Sequence, residues 1–198
     1  ELYPTIWLEK NSWNFVGEYF VLNFPQETWG LGGDSPDSHE TFVDGKQIRF
    51  HQNVLKGILP NLAIGIGYQY DKHFELEIED DEARTKHPNL PETIKSTTVS
   101  SGISLPIVYD TRKNINNPQQ GMYAGITYLY NDTALGSDDK WQSLFMDFRK
   151  YYSIPFARSI LGFRSYYWTI LSGDVPYFDL PSTRSEPGTG SASRGLQK

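Results

Sequence analysis

The sequence predicts an all-β chain, an antiparallel meander of about seven or eight strands that forms part of a transmembrane β-barrel. Composition, side-chain alternation and the lengths of the connections carry that expectation. Aromatic residues make up 15% of the chain, with 13 Tyr, 11 Phe and 5 Trp beside 17 Gly, while hydrophobic residues reach only 38%. Aromatics and glycine with few helix formers favour strands.

Seven stretches have the period of two that half-buried strands require: Trp13 to Phe24, Phe42 to Lys56, Asn61 to Lys72, Ser96 to Asp110, Gln120 to Asp132, Lys140 to Ser153 and Ala157 to Ser172. Thr5 to Glu9 is a candidate eighth. In Leu62 to Tyr70 the even positions are large and apolar or aromatic, and the odd ones small or polar. Ile48, Phe50 and Val54 alternate in the same way with Gln47, Arg49, His51 and Asn53. Leu144, Met146 and Phe148 alternate with Ser143, Asp147 and Arg149, and Phe145 breaks the pattern. One face would meet lipid and the other would line a lumen. Trp13, Tyr19, Phe24, Tyr68, Tyr70, Tyr128, Tyr130, Tyr151 and Tyr152 stand where interfacial girdles would lie.

The connections alternate in length. Leu59-Pro60 and Ile154-Pro155-Phe156 are tight, and Thr111 to Gln119 is moderately short. Between them fall Pro25 to Thr41, His73 to Lys95, the shorter Thr133 to Asp139, and the tail from Gly173 to Lys198. In a meander this puts every short turn at one end and every long loop at the other, as in outer-membrane barrels. A soluble sandwich or lipocalin-like barrel that binds a ligand also alternates, so alternation does not separate the two and the motifs must.

Several function classes fall away. A net charge of −6 and a pI near 5.2, with no basic stripe, argue against nucleic acid as a partner. There is no Cys, hence no thiolate chemistry. No run of about 18 apolar residues exists, which excludes a spanning helix and not a spanning strand of about 9 to 11 residues. The mean hydropathy of −0.52 is compatible with such strands. The start, Glu1-Leu2-Tyr3-Pro4, has no signal-like basic and apolar regions, so an internal segment or a processed chain is expected. His39, His51, His73 and His87 lack metal-ligand spacing, and no phosphate loop, nucleophile elbow or Ser/His/Asp constellation stands out. The chain is therefore expected to be no enzyme and to need no cofactor. The acidic run Glu75 to Glu82 reads as a solvated loop, with divalent cations as the sharper alternative.

The most specific segment runs from Tyr109 to Tyr123. Asn117-Pro118 initiates a turn, Gly121 permits a positive φ, and Asp110 can bond its own backbone downstream. The pattern Asp110-Thr111-Arg112, a spacer, Asn117-Pro118, then Gly121-x-Tyr123 resembles the turn of the bacterial surface-antigen family, the barrel of BamA- and TamA-like outer-membrane insertases. Phe145 to Pro155, Leu161-Gly162-Phe163-Arg164 and Pro176 to Pro181 follow in an order similar to that family's, as does Asn23-Phe24-Pro25 with Trp29 to Gly32 upstream. Ser193-Arg194-Gly195-Leu196 resembles the tip of its lid loop, with Leu196 where the family has an aromatic residue.

The resemblance implies a barrel of sixteen strands, of which residues 1–198 would be the middle strands, ending in the lid loop. It implies roles for Asp110, Arg112, Asn117, Pro118, Gly121 and Tyr123 in the turn, and for Arg194 and Gly195 in locking the lid inside the lumen. It implies the bacterial outer membrane as location, lipid and lipopolysaccharide as surroundings, and unfolded outer-membrane proteins as substrates of insertion or translocation. A passive barrel that anchors a patatin-like lipase or phosphoesterase elsewhere in the protein is the alternative, and a soluble ligand-binding β-protein is the third.

Overall fold

The computed structural model describes residues 1–8, 12–28, 41–78, 95–154, 156 and 159–181. Its strands are β1 (Thr5–Trp7), β2 (Trp13–Asn23), β3 (Gln26–Thr28), β4 (Thr41–Leu59), β5 (Leu62–Ile78), β6 (Thr97–Asp110), β7 (Gly121–Asn131), β8 (Trp141–Ile154) and β9 (Ser159–Gly173). They form one sheet in the order β1-β2-β4-β5-β6-β7-β8-β9, each pair antiparallel, with β3 beside β4. Every strand expected from alternation is present. The sheet is open: β1 and β9 each have one edge without a partner among the described residues.

The short β3 lies inside a stretch that reads as loop. Both β2 and β3 pair with β4, at Asn23↔Lys46 and Gln26↔Val43. Pro25, with no N–H to donate, interrupts what is otherwise one strand. Strand β5 also outruns its expected end at Lys72: Glu75 takes a φ of 53°, and the register against β4 shifts between Asp44 and Lys46, so a bulge carries pairing on to Ile78.

Register shows that the strands are staggered. Leu59, at the β4–β5 turn, is level with Leu62, then Tyr109, Ala124 and Phe148, yet β8 continues past Phe148 to Ile154 before turning. Strands that slide past one another in this way tilt against a common axis, as closure into a barrel demands.

The two faces divide as the alternation predicts. Val21, Phe50, Ile64, Ile66, Leu105, Ile107, Met146, Phe148 and Phe163 are exposed on one face. On the other, Asp71, His73, Ser100, Ser104, Asn131, Ser143 and Asp147 are buried. Among the described residues five buried side chains are apolar, Val43, Leu55, Leu76, Pro106 and Trp141, against twelve polar or charged ones. A soluble sandwich would invert that balance, because its buried face is its apolar one. Two expected girdle residues turn inward instead. Phe24 packs on His73, and Tyr151 stands opposite Gly162 on the polar side. Phe145, which breaks the sequence pattern, faces the polar side and meets Tyr166 and Trp168 there.

Candidate functional site

The chemistry of the sheet is concentrated on the polar face, in three groups. At the short-turn end, Asp110 closes β6 and folds the chain onto itself. Its carboxylate accepts from the Arg112 backbone N–H at 2.9 Å and from the guanidinium Nε and Nη2 at 2.9 and 2.8 Å. The guanidinium then lies 4.7 Å over the Tyr123 ring. Thr111 bonds Met122 in both directions, its N–H donating to the Met122 carbonyl and its Oγ1 accepting from the Met122 N–H, each at 2.9 Å. Gly121 starts β7 at a φ of 108°, and a Cβ there would stand 2.8 Å from the Thr111 carbonyl oxygen. Asn116 and Asn117 donate their N–H groups to Asn114 Oδ1, and Pro118 is half-buried behind them. The structure thus brings Asp110, Arg112, Gly121 and Tyr123 together, with Asn117 and Pro118 in the exposed arm of the same turn. Arg194 and Gly195 lie outside the described residues.

Tyr123 links this turn to a second group. Arg149 lies 5.3 Å from the same ring on its own strand, β8. Arg149 stands directly opposite Arg164 of β9, a like-charge pair that would destabilise the ladder unaided. Asp147 offsets it, accepting from Nε and Nη2 of Arg149 at 3.0 and 2.5 Å, and of Arg164 at 3.2 and 3.0 Å.

A third group spans β2, β4 and β5. Arg49 donates to Glu18 at 3.1 Å and to Asp71 at 2.6 Å and covers Phe20 at 5.0 Å, while His51 Nε2 meets the second Asp71 oxygen at 2.5 Å. Nearby, Ser104 of β6 donates to Asn53 Oδ1 of β4 at 2.7 Å, across Gly67 of the strand between them. A Cβ at Gly67 would fall 2.0 Å from that oxygen, so the bond exists because the side chain is missing.

Onto the long-loop end of this wall folds the short 3₁₀ turn Tyr177–Asp179. Phe178 packs against Phe24 and His73, with ring centroids 5.4 and 5.5 Å apart. Asp179 is buried and accepts from Ser100 Oγ at 2.5 Å. Burial raises its carboxyl to about 7, and the negative Asp71 adds to the rise. His73 stands 4.0 Å from the same carboxylate, its Nδ1 buried without a hydrogen-bond partner.

A serine, a histidine and an aspartate therefore meet where the sequence suggests no such constellation. Their order of contact is not that of a hydrolytic triad. Ser100 donates to the acid rather than to the imidazole, so no base stands ready to take its proton, and all three are buried. The group fastens a loop. Sequence reasoning missed it because Ser100 and Asp179 are 79 residues apart. The charged pairs had a local signal, since Arg49 and His51, Asp71 and His73, and Asp147 and Arg149 each alternate by two on one face.

The comparison with known families fits this wall. The chain matches the Omp85 superfamily domain over residues 4–179, from the first strand to the Asp179 turn. The chain belongs to the Omp85 superfamily. No curated protein and no solved structure matches it. Omp85 domains are β-barrels of the bacterial outer membrane that insert or translocate proteins, generally without covalent chemistry. The apolar face of this Omp85 domain is accordingly its lipid side and the polar face its lumen side.

Proposed function

We propose that this Omp85 domain is the wall of an insertase-type barrel of the BamA/TamA kind, which assists the insertion of outer-membrane proteins. The observation that carries this reading is the polar wall with the root of the long loop fastened inside it by Phe178 and Asp179. A lumen wall that holds the root of a long loop suits a machine that handles chains at its wall better than an open diffusion pore. Two free strand edges would be untenable in lipid, so further strands complete the barrel, with the short turns in the periplasm. The turn of Asp110, Arg112, Asn117, Pro118, Gly121 and Tyr123 holds that periplasmic rim in one geometry. Lipopolysaccharide surrounds the long-loop end.

The test is reconstitution of the full-length protein in phospholipid vesicles, followed by addition of a urea-denatured outer-membrane β-barrel protein. Faster acquisition of the folded, heat-modifiable form than in empty vesicles is expected. An inserted protein that gives no acceleration would leave only an anchoring role and sink the proposal.

A further inference from the structure

We propose that Lys56 and Lys150, each seated over an aromatic ring on the apolar face, bind the phosphates of anionic phospholipids in the periplasmic leaflet. The inference rests on the barrel reading above, with short turns towards the periplasm. A lysine on a lipid-facing wall must lift its ammonium to the headgroups while its stem stays on apolar surface. Lys56 stands opposite Trp13 and Ile64, and its ammonium lies 5.4 Å over the Trp13 ring. Lys150 stands opposite Met122 and Phe163, with its ammonium 5.3 Å over Tyr152.

Neither has a carboxylate partner among the described residues, whereas Lys46, Lys95 and Lys140 face Glu75, Asp139 and Asp132. Of the described lysines without a carboxylate, Lys56, Lys72 and Lys150 stand on the apolar wall and Lys113 in the exposed β6–β7 turn. Lys56 and Lys150 also share one depth. Lys56 is three residues from Leu59 at the end of β4, and Lys150 is four residues from Ile154 at the end of β8, so the stagger of the strands brings both to the same rim.

A third lysine fixes the scale. Lys72 lies 5.6 Å over Phe74 on the same face, eight residues along β5 from Ile64, the partner of Lys56. At about 3.3 Å per residue and a tilt of about 40°, the two lysine levels are roughly 20 Å apart along the barrel axis, near the apolar band of about 25 Å in such barrels. On that face of β5 only Ile64, Ile66, Tyr68 and Tyr70 lie between them. Lys56 and Lys150 thus mark the lower edge of the apolar band, where a phosphate meets the ammonium and its acyl chains meet the wall. An acidic segment of a soluble protein would have to leave water for that apolar edge.

The experiment titrates the full-length protein, purified in detergent, with phosphatidylglycerol and counts retained lipid by native mass spectrometry. Each lysine near a membrane surface contributes about a five-fold gain, so K56Q/K150Q is expected to weaken retention on the order of 25-fold. K56R/K150R should retain binding, and K113Q, in the exposed β6–β7 turn, should leave it unchanged. Equal retention by wild type and K56Q/K150Q in a folded barrel overturns the lysine proposal alone, as does an equal loss in K113Q. Should K56Q/K150Q fail to fold, the wild-type protein decides: no preference for phosphatidylglycerol over phosphatidylcholine overturns the proposal. Unchanged lipid binding with loss of a bound acidic protein overturns it in favour of a protein partner. A protein that stays dispersed without detergent removes the barrel reading itself.

Discussion

Arg149 and Arg164 face one another across the β8–β9 ladder, and a single carboxylate, Asp147, accepts from both. Removing a buried partner of this kind costs about 3 to 5 kcal/mol when burial is complete. Here the two guanidiniums keep 24% and 30% of their exposure, so solvent screens part of the loss. D147N is expected to destabilise the folded barrel by about 1 to 3 kcal/mol, and D147N/R164Q to recover part of that by removing the like-charge pair. Urea unfolding of both variants in detergent checks it. No difference between D147N and wild type would mean that water already satisfies the arginines. At this scale the sequence was half legible. Alternation placed Asp147 and Arg149 on one face, but the opposition of Arg149 and Arg164 depends on the β8–β9 register, which no periodicity records.

Elements were legible wherever hydrophobic alternation ran unbroken, and their ends were not. Strand β5 reaches Ile78 only because Glu75 adopts a left-handed backbone conformation, an arrangement rare enough that the polar stretch reads as loop. The β7–β8 connection is similarly tied down. Asp132 caps the 3₁₀ turn Thr133–Leu135 through the Ala134 N–H, and Asp132 and Asp138 donate their N–H groups to the Ser101 and Val99 carbonyls, continuing the pairing of β6 where β7 has ended. The Asp179 turn is the element with a pH signature. Its carboxyl is raised from 3.8 to about 7, so the docked state binds more protons than the free one between those values. The stabilisation of docking is then complete below about pH 4 and is lost as pH rises through about 7. In wild type, protease access to residues 173–181 should increase between about pH 4 and pH 7. D179N, which keeps a neutral group of the same shape, should abolish the pH dependence. Equal pH dependence in both proteins would assign it to another group.

Across the whole molecule, the alternation of short turns and long loops gave the meander and its two ends, and the register supplied the stagger that composition could not. Which end faces outward is a separate matter, open to labelling because the chain has no native Cys. Ala134→Cys should react with an impermeant thiol reagent on intact cells, and Asn116→Cys only after the outer membrane is opened. The opposite pattern would invert the barrel. The lid is the remaining question of this scale. If Arg194 locks the loop inside the lumen, it needs a carboxylate to offset the loss of its hydration. On the described strands the polar-face carboxylates already have cations: Glu18 and Asp71 meet Arg49, and Asp147 meets Arg149 and Arg164. A lid arginine added to these groups would bring a further positive charge to saturated acids. The resemblance to the surface-antigen family implies the partner instead: acidic and aromatic side chains of a strand later than those described. In the full-length protein R194A should increase protease cleavage within residues 182–193 and slow insertion while the barrel stays folded, and R184A, in the same loop, should not. D147N should leave that cleavage at the wild-type level. If D147N reproduces the R194A pattern, the lock lies on the β8–β9 wall after all, and if R194A matches wild type there is no arginine lock.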